Sequence, residues 1–175
     1  MFGGRVTMSI LTFVTAIFLA VGLTNSVFAA DLRPDVAQII SKSDASDILG
    51  EPVKNPSSRS GEGADGYYSK CNYYSVRRGK SLVIRLQLPG PNAIAPEKEL
   101  QLVAAANGST ENVSGIGDAA QMFTAGGESG FASRVLMLYV VKGGAFLTIG
   151  VCGFANDAVA LEKAKTVAQK LVERL

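Results

Sequence analysis

The strongest constraint on the fold is an internal similarity between two parts of the chain that lie 65 residues apart. Residues 74–86 (YSVRRGKSLVIRL) align with residues 139–151 (YVVKGGAFLTIGV), and seven of these thirteen positions match in kind. Two further short segments agree in the same order along the chain. Spacing of this kind indicates a supersecondary unit that is used twice. We therefore expect two repeat halves, at about residues 34–106 and 112–175.

Each half carries the pattern of a β-hairpin. Residues 82–88 alternate between aliphatic and mostly polar side chains, which is typical of a strand with one face toward a core, and residues 147–152 repeat the alternation. A glycine-containing turn precedes each of these strands, with Gly79 in the first hairpin. The first arms of the two hairpins are therefore expected at residues 67–76 and 134–141.

Three helical segments accompany the hairpins. The first is expected over residues 34–49, with a break near residues 41–43 and with Gly50 at its C-terminal end. The second begins near Pro96, because proline is tolerated in the first turn of a helix. The last follows Asn156, a residue type that caps helices, and carries one apolar stripe to the end of the chain.

The remaining segments complete the predicted topology. Short strands are expected at residues 52–54 and 118–123, and the polar, glycine-containing segments 55–66 and 124–133 are expected to be mobile surface loops. We predict an α+β fold in which two βββα-type repeats form one antiparallel sheet with the helices packed on one face. Residues 30–175 are expected to form this single domain.

The first 29 residues have the features of a signal peptide. Arg5 precedes an apolar run at residues 10–23, which is too short to span a bilayer comfortably, and small residues stand before the expected cleavage site after Ala29. Cleavage after Ala30 is the second choice, and an uncleaved membrane anchor is the alternative interpretation. We expect the mature protein to be periplasmic or extracellular, with no stable membrane span after cleavage.

The chain contains two cysteines, Cys71 and Cys152. In an exported chain a disulfide between them is the favoured interpretation, since such compartments are oxidising. The alternative is that both side chains are small apolar residues of the core. No CxxC motif is present, so redox catalysis by these thiols is not indicated.

The chain has no histidine, which excludes histidine-dependent triads, HExxH zinc sites and haem ligation through histidine. No catalytic residue, cofactor-binding motif or metal-ligand spacing stands out in the sequence. Seventeen basic residues balance fifteen acidic ones, and no basic stripe indicates a nucleic-acid partner. We therefore expect a domain without a cofactor that binds an unknown protein or small ligand in the cell envelope.

Aromatic residues supply the candidate binding surface. Tyrosine offers a large contact area at a small entropic cost and is enriched in interfaces. The alternative is that half of the candidate aromatic side chains pack beneath the helices and belong to the core. The candidates lie on one predicted strand or beside the second predicted loop: Tyr67, Tyr68, Tyr73, Tyr74, Phe123 and Phe131.

Several short motifs resemble those of a broad group of small exported bacterial proteins. These motifs are ILGEPV at residues 48–53, Cys71-x-Tyr73, VSGIGDAA at residues 113–120 and LVERL at residues 171–175. Members of that group are often lipoproteins of unknown function with a duplicated α+β layout similar to the TATA-binding-protein-like fold. The resemblance implies this fold and an exported location, and it implies no catalytic residues. This chain lacks the lipobox cysteine and the tryptophan that often follows the first cysteine.

Three functions are consistent with the sequence. The first is a non-enzymatic binding domain that uses the sheet face opposite the helices or the two predicted loops. The second is a hydrolytic or sugar-processing enzyme that uses carboxylates alone, with Glu51 and Asp118 as the one pair at equivalent positions of the two halves. The third is a structural component of the envelope.

Overall fold

The structure, a computed structural model, describes residues 33–77, 79–108, 110–126 and 134–175. The predicted signal peptide lies outside these ranges. Residues Arg33–Leu175 form one compact unit. Within the described residues the chain forms, in order, α1 (Val36–Ile39), α2 (Lys42–Leu49), β1 (Ser57–Gly63), β2 (Gly66–Tyr74), β3 (Ser81–Pro89), α3 (Pro96–Asn107), β4 (Glu111–Asn112), β5 (Ala119–Ala125), β6 (Val135–Lys142), β7 (Ala145–Cys152) and α4 (Asp157–Val172).

All described strands belong to one antiparallel sheet, in the order β1-β2-β3-β7-β6-β5-β4. The two hairpins β2–β3 and β6–β7 meet in the middle, where Ile84 of β3 lies opposite Ile149 of β7. Both side chains are completely buried, so the meeting point of the hairpins is also part of the core. The predicted α+β fold with a single antiparallel sheet is confirmed.

One face of the sheet packs against α1, α2 and α4. The alternation predicted for β3 places Leu82, Ile84 and Leu86 on this face, and all three are completely buried. Leu171 of α4 joins the same cluster with the alanines of that helix. Because strand side chains alternate with a period of two, the intervening residues of β3 lie on the other face.

Helix α3 packs on that other face, so the prediction that all helices share one face is wrong. Its Leu100 contacts a separate cluster formed by Tyr139, Val141 and Phe146 of β6 and β7. In β6 these residues alternate with the ones that contact α4. Eleven of the sixteen residues of β6 and β7 are therefore buried between two layers of helix, and the other five are half-buried.

Local sequence signals placed the helix boundaries well. The first helical segment breaks where predicted, and the Ser41 hydroxyl accepts a hydrogen bond from the Asp44 N–H at 3.1 Å to cap α2. Gly50 ends α2 in the left-handed conformation with φ +70°. Asn156 caps α4 by accepting a hydrogen bond from the Ala158 N–H at 2.7 Å. These signals work because caps depend on neighbouring residues alone.

Two predictions for the segment before β2 are wrong. Residues 57–63, expected to be part of a mobile loop, form the edge strand β1. Residues 52–54, expected to be a strand, contribute only the isolated bridge between Val53 and Ser75. Six of the seven residues of β1 are exposed and the strand has no apolar face, so among the described residues its pairing with β2 is what defines it as a strand.

The predicted disulfide is contradicted, since Cys71 and Cys152 are both free thiols. Cys71 lies opposite Ile84 on β3, whereas Cys152 lies opposite Ser81 on the same strand and on the other face of the sheet. The cysteine-bearing strands flank β3, so their Cα atoms are separated by two strand spacings, about 10 Å, across the sheet and by three residue positions, about another 10 Å, along it. A disulfide requires Cα atoms within about 7 Å of each other.

The two thiols should differ sharply in reactivity. Cys71 is buried in the core, and burial raises the pKa of its thiol, whereas Cys152 is only half-buried. We expect Cys152 to react with a disulfide reagent in the native protein and Cys71 to react only after unfolding. Thiol titration in buffer and in denaturant, both without reductant, measures this. If no thiol appears in denaturant, the cysteines are bridged and the described register is wrong.

An ion pair between Asp44 of α2 and Lys170 of α4 joins these two helices. The Lys170 ammonium, followed by the Ser41 hydroxyl, lowers the pKa of Asp44 from 3.8 to about 2. Because the pKa of Asp44 is lower in the folded state, its ionised carboxylate stabilises the native state at pH values above the unfolded-state pKa. This stabilisation is lost as the pH falls from about 4 toward 2.

The acid sensitivity of the fold should therefore depend in part on Asp44. In Asp44→Asn we expect a lower stability at neutral pH, by about 1 kcal/mol, because the ion pair with Lys170 and the charged acceptor for the Ser41 N–H and hydroxyl are lost. We also expect a smaller further loss between pH 4 and 2 than in the wild type. Urea unfolding at several pH values measures both. Asp47→Asn, an exposed position on the same helix, is the matched control. Equal pH profiles for Asp44→Asn and the wild type would contradict the assignment.

Candidate binding surface

Helix α3 covers only part of its face of the sheet. It contacts β5, β6 and β7, so in the described part of the chain the same face of β1, β2 and most of β3 has no helix over it. Val83 of β3 is 37% exposed there and Tyr74 of β2 is 48% exposed, although both belong to regular strands. We call this surface the open face. It is formed by Arg59, Tyr68, Lys70, Asn72, Val83 and Arg85, with Tyr74 at its end.

The four candidate tyrosines divide equally between the two faces of β2. Tyr67 and Tyr73 lie on the helix-covered face and are buried, and their hydroxyls donate hydrogen bonds to the carbonyl oxygens of Pro34 and Ile40. Burial raises the pKa of the Tyr73 hydroxyl. These two side chains belong to the core, which is the alternative that the sequence left open.

Tyr68 and Tyr74 lie on the open face instead. Tyr68 is half-buried, and the guanidinium of Arg59 on the neighbouring strand lies 5.9 Å from the centre of its ring. Of the two candidate phenylalanines, Phe123 is half-buried against the cluster beneath α3, away from the open face. Phe131 lies outside the described residues.

Three basic residues form a row across the open face. Arg59 of β1 lies directly opposite Lys70 of β2, and Lys70 lies directly opposite Arg85 of β3. All three side chains are exposed. Among the described residues none of them has an acidic partner within ion-pair distance. We call these residues the basic row.

The basic row was not predicted from the sequence. Lys70 and Arg85 are 15 positions apart in the chain, and Arg59 lies in a segment that was expected to be a loop. The alternation of β2 and β3 could have placed Lys70 and Arg85 on the same face. Their alignment in one row additionally depends on the pairing register, which sequence periodicity does not specify.

The end of the basic row nearest α3 carries polar side chains. Gln87 of β3 lies between Arg85 and Glu99 of α3, with its amide oxygen 3.1 Å from the guanidinium and its amide nitrogen 3.3 Å from the carboxylate when the amide is oriented to satisfy both. Burial raises the pKa of Glu99, and the positive charge of Arg85 partly offsets this effect. Gln87 and Glu99 thus mark the boundary between the open face and α3.

The open face contains a shallow groove of about 460 Å³. This volume lies within the range of small-molecule sites, roughly 300–1,000 Å³, but the groove lies on a sheet surface and is not a deep cleft. Cationic, amide, aromatic and aliphatic groups are therefore available to one ligand. The lining residues are Tyr68, Lys70, Asn72, Val83, Ile84 and Arg85.

The two carboxylates considered for catalysis lie at opposite ends of the sheet. Glu51 is adjacent to Pro52, whose carbonyl accepts a hydrogen bond from Val76 beside the β2–β3 turn. Asp118 binds the β6–β7 turn by accepting hydrogen bonds from the Gly143 N–H at 2.8 Å and from Lys142 Nζ at 2.9 Å. These two contacts lower the pKa of Asp118.

The length of the central strands sets the distance between these turns. The pairing of β3 with β7 extends from Ser81, opposite Cys152, to Gln87, opposite Phe146. Six residue steps along a strand span roughly 20 Å. Glycosidase carboxylates lie at most about 9.5 Å apart, so this pair cannot act on one glycosidic bond.

Other chemistry has little support in the described residues. No group of three or more His, Cys, Asp or Glu side chains within these ranges could hold a metal ion. Of the helices described, none combines the length and apolar character that a membrane crossing needs. No protein-family model matches the chain, and no curated protein matches it either. The open face is therefore the feature of the described residues that bears on function.

Proposed function

We propose that this chain is an exported, non-enzymatic binding domain and that the open face is its interaction surface. The observation that carries this proposal is the difference between the two faces of β3. On the helix-covered face Leu82, Ile84 and Leu86 are completely buried, whereas Val83 and Arg85 on the open face are exposed. The sheet thus presents half of one face to a partner.

The residue types on the open face suit recognition. Tyr68 and Tyr74 provide aromatic area, Asn72 provides an amide, and Val83 provides an aliphatic contact beside the basic row. Aromatic and arginine side chains are the most enriched types at protein interfaces. Because regular strands hold these side chains, little backbone ordering has to accompany binding.

We also propose an exported location and a duplicated origin of the two halves. The apolar run at residues 10–23 and the small residues before the expected cleavage site support export. The strand order supports duplication, because β1-β2-β3 and β5-β6-β7 are arranged in opposite order about the middle of the sheet. Both features agree with the resemblance to small exported bacterial proteins.

Comparative capture from an envelope fraction tests the binding proposal. The full chain serves as bait, and the double variant Tyr74→Ser/Val83→Ser is compared with Val159→Ser, an exposed valine on α4. We expect at least one partner that is recovered by the wild type and by Val159→Ser but falls at least about fivefold with the double variant, which corresponds to a loss of about 1 kcal/mol or more.

The variants must be folded for the result to be interpretable. Thermal unfolding must show that both variants are folded, since an unfolded bait captures proteins non-specifically. If the double variant, Val159→Ser and the wild type recover the same proteins in the same amounts, the open face is not the interaction surface and the proposal fails.

A further inference from the structure

We propose that the open face binds an acidic peptide segment of a partner protein through the basic row of Arg59, Lys70 and Arg85. This inference rests on the proposed binding function and adds the chemical class of the partner. The supporting observation is that three cationic side chains lie directly opposite one another on adjacent strands.

The geometry of the basic row matches an extended peptide. Neighbouring strands are about 4.8 Å apart, so the Cα atoms of Arg59 and Arg85 lie about 10 Å apart with Lys70 between them. In an extended chain every second side chain points the same way, at intervals of about 7 Å. Two or three carboxylates at alternate positions of a peptide laid along the row therefore span it.

Charge repulsion within the basic row opposes the stability of the free protein, although the Arg59 guanidinium also lies over the Tyr68 ring and Gln87 lies between Arg85 and Glu99. Like charges directly opposite each other on paired strands destabilise a sheet. Both pairs in this row, Arg59 with Lys70 and Lys70 with Arg85, are of that kind. Among the described residues no carboxylate lies within ion-pair distance of any of the three. An anionic partner would relieve this repulsion.

The neighbours of Lys70 on β2 favour a peptide over a free ion. Tyr68 and Asn72 lie two residues before and after Lys70, so all three side chains share one face. The Asn72 amide can donate to and accept from a peptide backbone, and the Tyr68 ring can pack on it. Tyr68, Asn72 and two members of the basic row, Lys70 and Arg85, line the 460 Å³ groove, which is larger than a single inorganic anion needs.

The number of charges argues against two other polyanions. Anionic membranes are recognised by clusters of roughly four to eight Lys and Arg side chains, and nucleic acid requires a longer basic stripe. The basic row has three, and Glu99 places a carboxyl group near its Arg85 end. Gln87 connects that carboxyl group to Arg85, so one end of the row is already partly balanced.

Isothermal titration with defined probes tests the inference. The main probe is an acetylated, amidated six-residue peptide of alternating glutamate and serine, and the matched neutral probe has glutamine in place of glutamate. We expect the acidic peptide to bind the full chain with a Kd below about 1 mM at low salt and the neutral peptide to bind at least tenfold more weakly.

Charge-removing variants locate the site. Lys70→Gln should weaken binding about threefold and Arg59→Gln/Lys70→Gln about tenfold, since each exposed pair contributes modestly. The control Lys163→Gln/Arg174→Gln removes two positive charges on or next to α4, behind the sheet, and should change Kd less than twofold. Lys70→Gln should also leave the unfolding midpoint unchanged or raise it, because it removes two like-charge contacts.

Each contrary outcome has a definite meaning. The inference is overturned if the acidic peptide does not bind, if both double variants weaken binding equally, or if Lys70→Gln lowers the unfolding midpoint. It is also overturned if inorganic phosphate or phosphatidylglycerol vesicles bind more tightly than the peptide. If these tests fail while capture still depends on Tyr74 and Val83, the proposed binding function stands and only the acidic class is wrong.

Discussion

Replacement of Gly153 by alanine should lower the free energy of unfolding by about 3 kcal/mol or more. Gly153 follows β7 with φ +85°, a conformation that alanine adopts only with strain. In addition, a Cβ atom at this position would overlap the Gly79 carbonyl oxygen and would lie 2.7 Å from the carbonyl carbon. Both contacts are with backbone atoms, so no side-chain rotation relieves them.

The matched control separates steric overlap from backbone strain. Gly144 has nearly the same φ, +82°, but a Cβ atom there would meet nothing within 4 Å. Gly144→Ala should therefore cost about 1 kcal/mol, from backbone strain alone. Urea unfolding of both variants measures the difference. Equal losses would show that the β2–β3 turn does not approach Gly153 as described.

Ile149→Ala should lower the free energy of unfolding by about 3–4 kcal/mol, because large-to-small substitutions in a core lose transfer energy and leave a cavity. Ile149 is completely buried on β7, opposite Ile84 of β3 and Leu138 of β6. The site is therefore at the centre of the sheet, where both hairpins and α4 contribute side chains. Backbone pairing on both sides restricts collapse around the cavity.

The same substitution at an exposed position provides the comparison. Ile94, in the segment between β3 and α3, is 53% exposed, and Ile94→Ala should change stability by less than about 0.5 kcal/mol. Denaturant unfolding measures the free energy of unfolding of both variants, with the same dependence on denaturant concentration used for each. A loss below about 1 kcal/mol for Ile149→Ala would mean that the two hairpins do not meet at a packed core.

The elements of this protein were predictable to different degrees. Helix α4 followed from its cap and its apolar stripe, and β3 followed from its alternation, because both signals lie within a dozen residues. The edge strand β1 was missed because its sequence, SSRSGEG, carries no apolar alternation. Its strand conformation is imposed by pairing with β2.

The candidate site was predictable only in part. Strand alternation places Tyr67 and Tyr73 on one face of β2 and Tyr68 and Tyr74 on the other, but which pair is buried depends on where the helices pack. The basic row required the register of three strands. The disulfide was wrongly predicted because cysteine number and compartment carry no information about distance, and the fold places Cys71 and Cys152 on opposite faces.

The sequence by itself determined the helix boundaries, the two hairpins and the α+β class of this protein, because these depend on capping and on periodicities of a few residues. Only the tertiary structure decided that α3 packs on the other face of the sheet and that, among the described residues, no helix covers the same face of β1, β2 and most of β3. Only strand register decided that Arg59, Lys70 and Arg85 stand in one row. Both outcomes arise from contacts between residues that are far apart in the chain. In strand pairing, a register shift of one residue moves every side chain of a strand to the other face of the sheet.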